Sequence, residues 1–427
     1  MRIPYSMMAF AGLASAVQLY RGVAIAGADF GCDIDGTCDL TQIIFPLKEY
    51  SDVNGVDQMR HFIRDHDLNM FRLPISWHFL TDKRGGSTLD KDNFNQYQDL
   101  VNACLDTGAY CQIDLHNFAH YEGQIIGQGG PTNEVFGKLW TNIMEPWKDD
   151  DHVIVGVMNE PHDLDIKLWA DTCQHVVNEL RKSGATSQMI LLPGNNFTNS
   201  ATMIENGSGE AMLAITNPDG STDNLILDIH QYLDVDNSGS HLECVRDNVD
   251  SFTKLAEFLR KNKRLGMISE TGASTDSTCL DRFCKQNEAI LSNDDVYIGL
   301  TGWSAGSFNK EYMMNMSPEW VKDKFVDNAL FQTCLADLWD DQSGTKNTVT
   351  PRTTATATTT ADSTATNSDA TATDGSGRAV VAATTSGSTG AQETGPSSAA
   401  VGMTMGGVFG TAQLLSMGAG LAVILVL

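Results

Sequence analysis

Between Tyr20 and Trp339, short apolar runs alternate eight times with longer amphipathic ones. Several of the short runs are apolar without a break, and the polar residues that end them are types that carry chemistry. These three observations predict an α/β chain folded as a single (β/α)8 TIM barrel, with its site at the C-terminal strand ends. The unbroken runs matter because a strand covered on both faces by a ring of helices has no polar face to show. A doubly wound open sheet is the structural rival. It would not usually need eight such units, and no G-x-G-x-x-G follows the first run.

The candidate strands are 21–27 (RGVAIAG), 69–76 (NMFRLPIS), 110–116 (YCQIDLH) and 153–160 (VIVGVMNE). After them come 189–195 (MILLPGN), 225–232 (LILDIHQY), 266–271 (GMISET) and 298–304 (IGLTGWS). Apolar residues at helical spacing cover 57–66, 94–106, 134–147, 166–182, a looser 201–215, 249–261, 279–291 and 319–339. Gly108 and Gly184 stand just past helix ends, where a left-handed residue is favoured. In the fourth strand, Pro161 follows Asn159-Glu160 and marks where pairing stops, because proline has no N–H to donate.

The ends of the chain read differently. Arg2, an apolar run and Ala14-Ser15-Ala16 make residues 1–16 a signal peptide, too short to span a bilayer. The catalytic domain is expected over 17–341. Residues 342–400 are dominated by Thr, Ser, Ala and Gly, a composition that cannot bury a core and reads as an O-glycosylated stalk. Residues 401–427 end in an apolar stretch behind small residues and a short spacer, with no basic flank, which favours a GPI-attachment signal over a retained tail anchor. The expected setting is therefore secreted and held at the cell surface. The net charge of -26, with only 28 Lys and Arg, argues against a nucleic-acid partner. It is compatible with a neutral polysaccharide.

Secretion also organises the nine cysteines. Cys32 and Cys38 flank one turn and Cys104 and Cys111 another, spacings that suit local bridges. Cys279 and Cys284 fall out of phase on one helical pattern and pair elsewhere, the preferred partners being Cys244 and Cys334. Cys173 shares an apolar helix face with Trp169, Val176 and Leu180 and reads as a buried free thiol. Sequons stand at Asn196, Asn206 and Asn315.

The strand ends supply Arg72, His116 with Asn117, Asn159 with Glu160, His230 with Tyr232, Glu270, and Trp303. Singly, each has a bland explanation. A glutamate among 54 acidic residues is usually a solvated one, and a lone tryptophan is usually packing. Collectively they terminate apolar strands, a phase that scattered surface residues would not keep. Two glutamates across a barrel mouth point to glycoside hydrolysis, which needs an acid/base carboxyl and a second carboxylate. Arg72 would keep one ionised, while the charge of that one would hold the other protonated. Trp303 offers a flat face to a sugar ring, and Asn159 suits a bond to a 2-hydroxyl.

Two rivals come from other classes. The repeated D-x-H at Asp114–His116 and Asp228–His230 suggests metal-assisted hydrolysis, although the first strand carries no H-x-H and no helix carries H-E-x-x-H. A catalytically silent glycan-binding wall protein is the other. The intact glutamate pair argues against it.

The segments AGADFGC, FRLPISW, DLHNFA, IIGQGGPTN, GVMNEPHD, LPGNNF, TNPDGST, DIHQYLDVDNSG, SETGAS and GWSAGSF resemble glycoside hydrolase family 5. They are most similar to its fungal-type endo-β-1,4-glucanases, and the likeness runs from Arg21 to Trp339. The resemblance implies a (β/α)8 barrel, retention of anomeric configuration, and neither metal nor cofactor. It implies Glu160 as acid/base and Glu270 as nucleophile. Arg72, His116, Asn159, His230, Tyr232 and Trp303 stand at the surrounding site positions. The cysteine pairings resemble the family's as well. The partner implied is a β-glucan, with mannan and mixed-linkage glucan as alternatives, the chain acting as a monomer that meets a membrane only through its C-terminal anchor or tail. Two departures stand out. The signal peptide leads straight into the barrel, without the small cellulose-binding module of many fungal members, so weak binding to crystalline cellulose is expected. His120-Tyr121 follows HNFA where relatives often show a basic residue and Trp, which implies a changed aromatic platform.

Overall fold

The computed structural model describes residues 19–47, 54–342, 350 and 352. Its parallel strands are β1 Tyr20–Ala26, β2 Met70–Ile75, β3 Tyr110–Leu115, β4 Val153–Gly156, β5 Ile190–Leu192, β6 Leu225–Tyr232, β7 Gly266–Gly272 and β8 Tyr297–Gly306. Each pairs with the next, and β8 closes on β1 with Gly299 opposite Tyr20. Closure satisfies every strand and leaves no edge to template aggregation. The return helices are α1 Gly55–His66, α2 Lys91–Asp106, α3 Asn133–Met144, α4 Ile166–Ser183, α5 Ser208–Leu213, α6 Val249–Asn262 and α7 Leu280–Leu291. Gly108 and Gly184 adopt φ of 87° and 107° at the ends of α2 and α4, as their positions required.

Two apolar layers hold this frame. Strand residues such as Val23, Phe71, Leu73, Ile113, Val155 and Leu227 pack with helix residues such as Phe62, Leu100, Trp140, Val176 and Leu255 in one large cluster. Met70, Ile154, Leu191, Ile226, Met267 and Ile298 form a separate cluster inside the barrel. Side chains alternate along a strand, so Arg72, two residues beyond Met70, and Asp228, two beyond Ile226, lie on the same interior face one layer closer to the mouth. The filled floor thus fixes which residues reach the site.

Three expectations need correction. Strand β4 ends at Gly156, not Glu160. Only Ser208–Leu213 is helical within the loose segment 201–215. The helical pattern at 319–339 begins instead as a hairpin, Glu319–Val321 paired with Lys324–Val326. Lys322 and Asp323 both turn left-handed, with φ of 50° and 61°, the geometry that matches a two-residue turn to the twist of its strands. Trp320 faces Phe325 across it, and helix resumes only at Ala329, capped by the Asn328 side chain. All four expected disulfides are present, Cys32–Cys38, Cys104–Cys111, Cys244–Cys279 and Cys284–Cys334, while Cys173 is free and buried. The expected signal peptide and C-terminal tail lie outside the described residues, as does the stalk apart from Gln342, Thr350 and Arg352.

Candidate active site

The C-terminal mouth is organised by one buried cation. Arg72, fully buried on β2, donates from Nη1 to Glu270 Oε2 and from Nη2 to Asn159 Oδ1 at 2.6 Å, and its Nη2 lies 3.0 Å from Asp114 Oδ2. A guanidinium stripped of water stands only if anions surround it. Burial works to deprotonate Arg72, and Asp114, Glu270 and Asp228 overcome it. Its Cζ also sits 5.4 Å from the centroid of Trp303, a cation–π contact.

The two glutamates reach this centre by different routes. Glu270 lies within β7, opposite His230 on β6 and next to a one-residue slip in the pairing of the two strands. Its Oε1 accepts from the Tyr232 hydroxyl at 2.6 Å. Burial works to raise its pKa, but Arg72, His230, His116 and the Tyr232 donor hold it below the ordinary value. Glu160 sits past the end of β4 with φ of 43°, and its side chain retains 15% exposure against 5% for Glu270. Burial and the negative charge of Glu270 raise the Glu160 pKa, against a 2.9 Å contact from His230 Nδ1 to its Oε1. One carboxyl is thus biased toward the ionised form and its neighbour toward the protonated one. An oxygen of each, together with a ring nitrogen of His230, lies within a mutual 4.8 Å.

The remaining side chains divide into two groups. His116 accepts orientation from Asp114, 2.8 Å from Nδ1, and stacks on Trp303 with centroids 5.4 Å apart. Trp303 in turn donates from its indole to the Tyr312 hydroxyl at 3.0 Å. Asn117 does not join the site. It is buried behind the mouth, where Oδ1 accepts from the Trp77 N–H at 2.6 Å and Nδ2 lies 3.3 Å from His78 Nδ1. His120 and Tyr121 also stand back. His120 stacks on His162, His162 stacks on Phe197, and Tyr121 stacks on His78. Only Phe197 of these lines the groove, so the departure at His120-Tyr121 acts one layer removed from any platform.

That groove has a volume near 880 Å³ and is walled by Glu160, Glu270, Tyr232, Trp303, Phe197 and Tyr312. A second hollow of 510 Å³ adjoins it through His116 and Phe118 and presents Phe30, Phe308 and the buried Asp29. Sequence reasoning missed Phe30, Phe197, Phe308 and Tyr312, which come from loops with no strand phase to reveal them. It quoted Asp114 and Asp228 only as metal ligands. A cation held by Glu160, His230 and Glu270 would lie beside the Arg72 guanidinium, on oxygens that Arg72 and Tyr232 already engage. The donor set therefore suits a proton shared between carboxyls better than a metal ion.

Residues 37–309 match the family described as Cellulase (glycosyl hydrolase family 5). The chain is 44% identical over 322 residues to Endoglucanase EG-II of Hypocrea jecorina, covering 74% of this chain and 77% of that protein. It is 41% identical over 316 residues to Endoglucanase 1 of Saitozyma flava, covering 74% and 88%. The crystal structure of Cel5A (EG2) from Hypocrea jecorina superposes with a TM-score of 0.73 at 44% identity, covering 75% of this chain and 98% of that one. The chain belongs to glycosyl hydrolase family 5.

Proposed function

We propose that the chain is a retaining endo-β-1,4-glucanase in which Glu270 is the nucleophile and Glu160 the acid/base. The observation that carries this reading is the carboxylate pair, with oxygens inside 4.8 Å and pKa values pushed in opposite directions. Retaining enzymes keep their carboxyls about 5–5.5 Å apart, whereas inverting ones leave about 6.5–9.5 Å for a water. In the first step Glu270 attacks the anomeric carbon, the bond to the glycosidic oxygen breaks, and the proton of Glu160 passes to that oxygen. In the second, Glu160 takes a proton from water, whose oxygen displaces Glu270 from the same carbon. Asn159 Nδ2 is buried and finds no acceptor among the described residues, which suits a substrate 2-hydroxyl. The groove that holds the pair and the hollow that continues it past His116 and Phe118 favour attack within a chain over attack at its end.

Cellotetraose hydrolysis followed by proton NMR tests the scheme. The first-formed reducing end should be the β-anomer, and an α-anomer would overturn it. Product profiles on carboxymethylcellulose, mixed-linkage glucan and glucomannan then rank substrates. For location, the four disulfides favour an oxidising, extracellular setting. The apolar C-terminus adds the reading of a GPI-attachment signal. GPI-specific phospholipase should release the enzyme from cells, and retention after treatment would count against the anchor.

A further inference from the structure

Helix α1 ends at His66 and β2 begins at Met70, so the last turns of α1 adjoin the N-terminal rim of the barrel, the face opposite Glu160 and Glu270. Two histidines of α1 meet there an aspartate from a distant part of the chain. His61 Nε2 lies 2.9 Å from Asp327 Oδ1, and His66 Nε2 lies 2.9 Å from Asp327 Oδ2. The other nitrogen of the first ring, His61 Nδ1, lies 2.7 Å from Asp65 Oδ2. One atom from each of His61, His66 and Asp327 falls within a mutual 4.8 Å. Packing holds both rings in place. His61 stacks on Phe325 of the hairpin with centroids 4.4 Å apart, and His66 stands edge-on to His61 and to Phe331, each at 5.2 Å. Asp327 is fixed in turn between the end of the hairpin and the Asn328 cap.

The hydrogen count of this cluster is short. A neutral imidazole carries one N–H and one lone pair. Both nitrogens of His61 and Nε2 of His66 face carboxylate oxygens, so the contacts ask for more hydrogens than two neutral rings supply. Without a further proton, a lone pair is left pointing at an anion in a buried place, which is costly. A divalent cation between the Nε2 atoms and Asp327 removes the shortage. His61 then keeps its one hydrogen on Nδ1, where Asp65 accepts it, and the Nε2 lone pairs of both rings turn to the metal. A carboxylate behind a ligating histidine is the arrangement that fixes its tautomer and orientation at metal sites.

We propose that His61 Nε2, His66 Nε2 and Asp327 form a structural site for a divalent transition-metal ion of the zinc class, with Asp65 holding His61 in the ligating tautomer. Two imidazoles and one carboxylate suit zinc, whereas magnesium and calcium take oxygen ligands. Zinc bonds of about 2.0–2.2 Å in tetrahedral geometry place ligand atoms roughly 3.5 Å apart, so the 2.9 Å contacts need open by only a few tenths of an ångström. The Asp327 and His66 side chains each retain 9% exposure against 3% for His61, which marks the side from which an ion enters and a water completes the shell. The bound ion ties α1 to residues 261 to 266 positions further along the chain. It stabilises the fold and stands apart from the reaction at the mouth.

The test is zinc binding by the purified enzyme after chelator dialysis, followed by calorimetric titration and by thermal unfolding. Wild type should take up about one equivalent of zinc and gain roughly 3–6 °C in Tm at about 100 times Kd. Magnesium at the same concentration should give no shift. His66→Gln and Asp327→Asn each remove a ligand and should abolish the zinc-dependent gain. Asp65→Asn leaves all three ligands in place and should weaken binding by about 10–100-fold, a loss that a site elsewhere on the surface would not show. Activity on cellotetraose should stay within about twofold with and without zinc, as expected for a site independent of the mouth. If Asp327→Asn does not fold, His66→Gln and Asp65→Asn decide. Wild type that binds no zinc would overturn the proposal. So would an equal Tm gain in wild type and His66→Gln, which would reveal an adventitious ion only. Activity that rises and falls with zinc would overturn the placement of the site away from the reaction.

Discussion

Removing the hydroxyl of Tyr232 offers a sharp test of how the nucleophile is kept ionised. Tyr232→Phe leaves the ring in place and deletes one donor, the O–H that reaches Glu270 Oε1 at 2.6 Å. A hydrogen bond to a charged group contributes about 1.5–3 kcal/mol. At about 1.4 kcal/mol per pH unit, its loss should raise the Glu270 pKa by roughly 1–2 units. The sign follows from the arrangement: Glu270 is held below its ordinary value by Arg72, His230, His116 and Tyr232 against burial, so taking a donor away moves it up. In the proposed scheme the free enzyme attacks only with Glu270 ionised. The acid limb of kcat/KM on cellotetraose should therefore shift to higher pH by about 1–2 units. The plateau rate should change less, because the donor stabilises a charge that attack consumes. A variant whose plateau collapses while its acid limb stays within about 0.3 unit of wild type would refute this reasoning and assign Tyr232 to the substrate instead.

Other expectations are quickly tested. Glu270→Gln should cut turnover by roughly 10⁴-fold or more, with an unchanged far-ultraviolet circular dichroism spectrum. Loss of Cys284–Cys334 should destabilise the barrel more than loss of Cys104–Cys111, since loops of 50 and 7 residues correspond to about 4 and about 2.4 kcal/mol of chain entropy. Denaturant titration of the two double-serine variants would reverse that order if strain governed instead. Asp327 accepts from His61 Nε2 and His66 Nε2, each at 2.9 Å, and these bonds, working against burial, bring its carboxyl down to about 2. The tie of the segment after the hairpin to α1 should persist above the ordinary carboxylate range and be lost only as pH falls through about 2. Asp327→Asn should lower stability at pH 6 by roughly 1.5–3 kcal/mol in a thermal scan.

Much of the barrel was legible because burial imposes a pattern on each strand separately. Leu225–Tyr232 begins and ends where the sequence places it, since both faces are covered throughout. The 319–339 region was not legible. Trp320, Val321, Phe325 and Val326 serve a helix face and a hairpin equally well, and the deciding feature, two consecutive left-handed residues at Lys322 and Asp323, leaves no glycine or asparagine as a signal. The strand-end rule brought Arg72, His116, Asn159, Glu160, His230, Tyr232, Glu270 and Trp303 to one mouth. It misplaced Asn117, because the residue after a strand end has already left the alternation and can point behind the sheet as readily as into it.

Glu160 shows why the rule worked even where its premise failed. The strand carrying it stops at Gly156, so no ladder places this carboxyl. What places it is a set of bonds with the neighbours: the Asn159 N–H donates to the Leu115 carbonyl at 2.8 Å, Asn159 Oδ1 accepts a hydrogen bond from Arg72, and the Phe197 N–H donates to the Pro161 carbonyl at 2.9 Å. Glu160 between them adopts φ of 43°, a conformation that costs a non-glycine residue about 1 kcal/mol or more and persists only when its surroundings impose it. The apolar run therefore indicates where the chain leaves the sheet, and the polar residues after it fix where the carboxyl goes. That division explains why the pKa values of the two glutamates are pushed in opposite directions. Glu270, inside a strand, receives Arg72 and Tyr232 as fixed neighbours. Glu160, held by a loop at the more open side, is contacted by His230 and raised by burial and by the charge of Glu270, so it can keep the proton that the proposed chemistry requires.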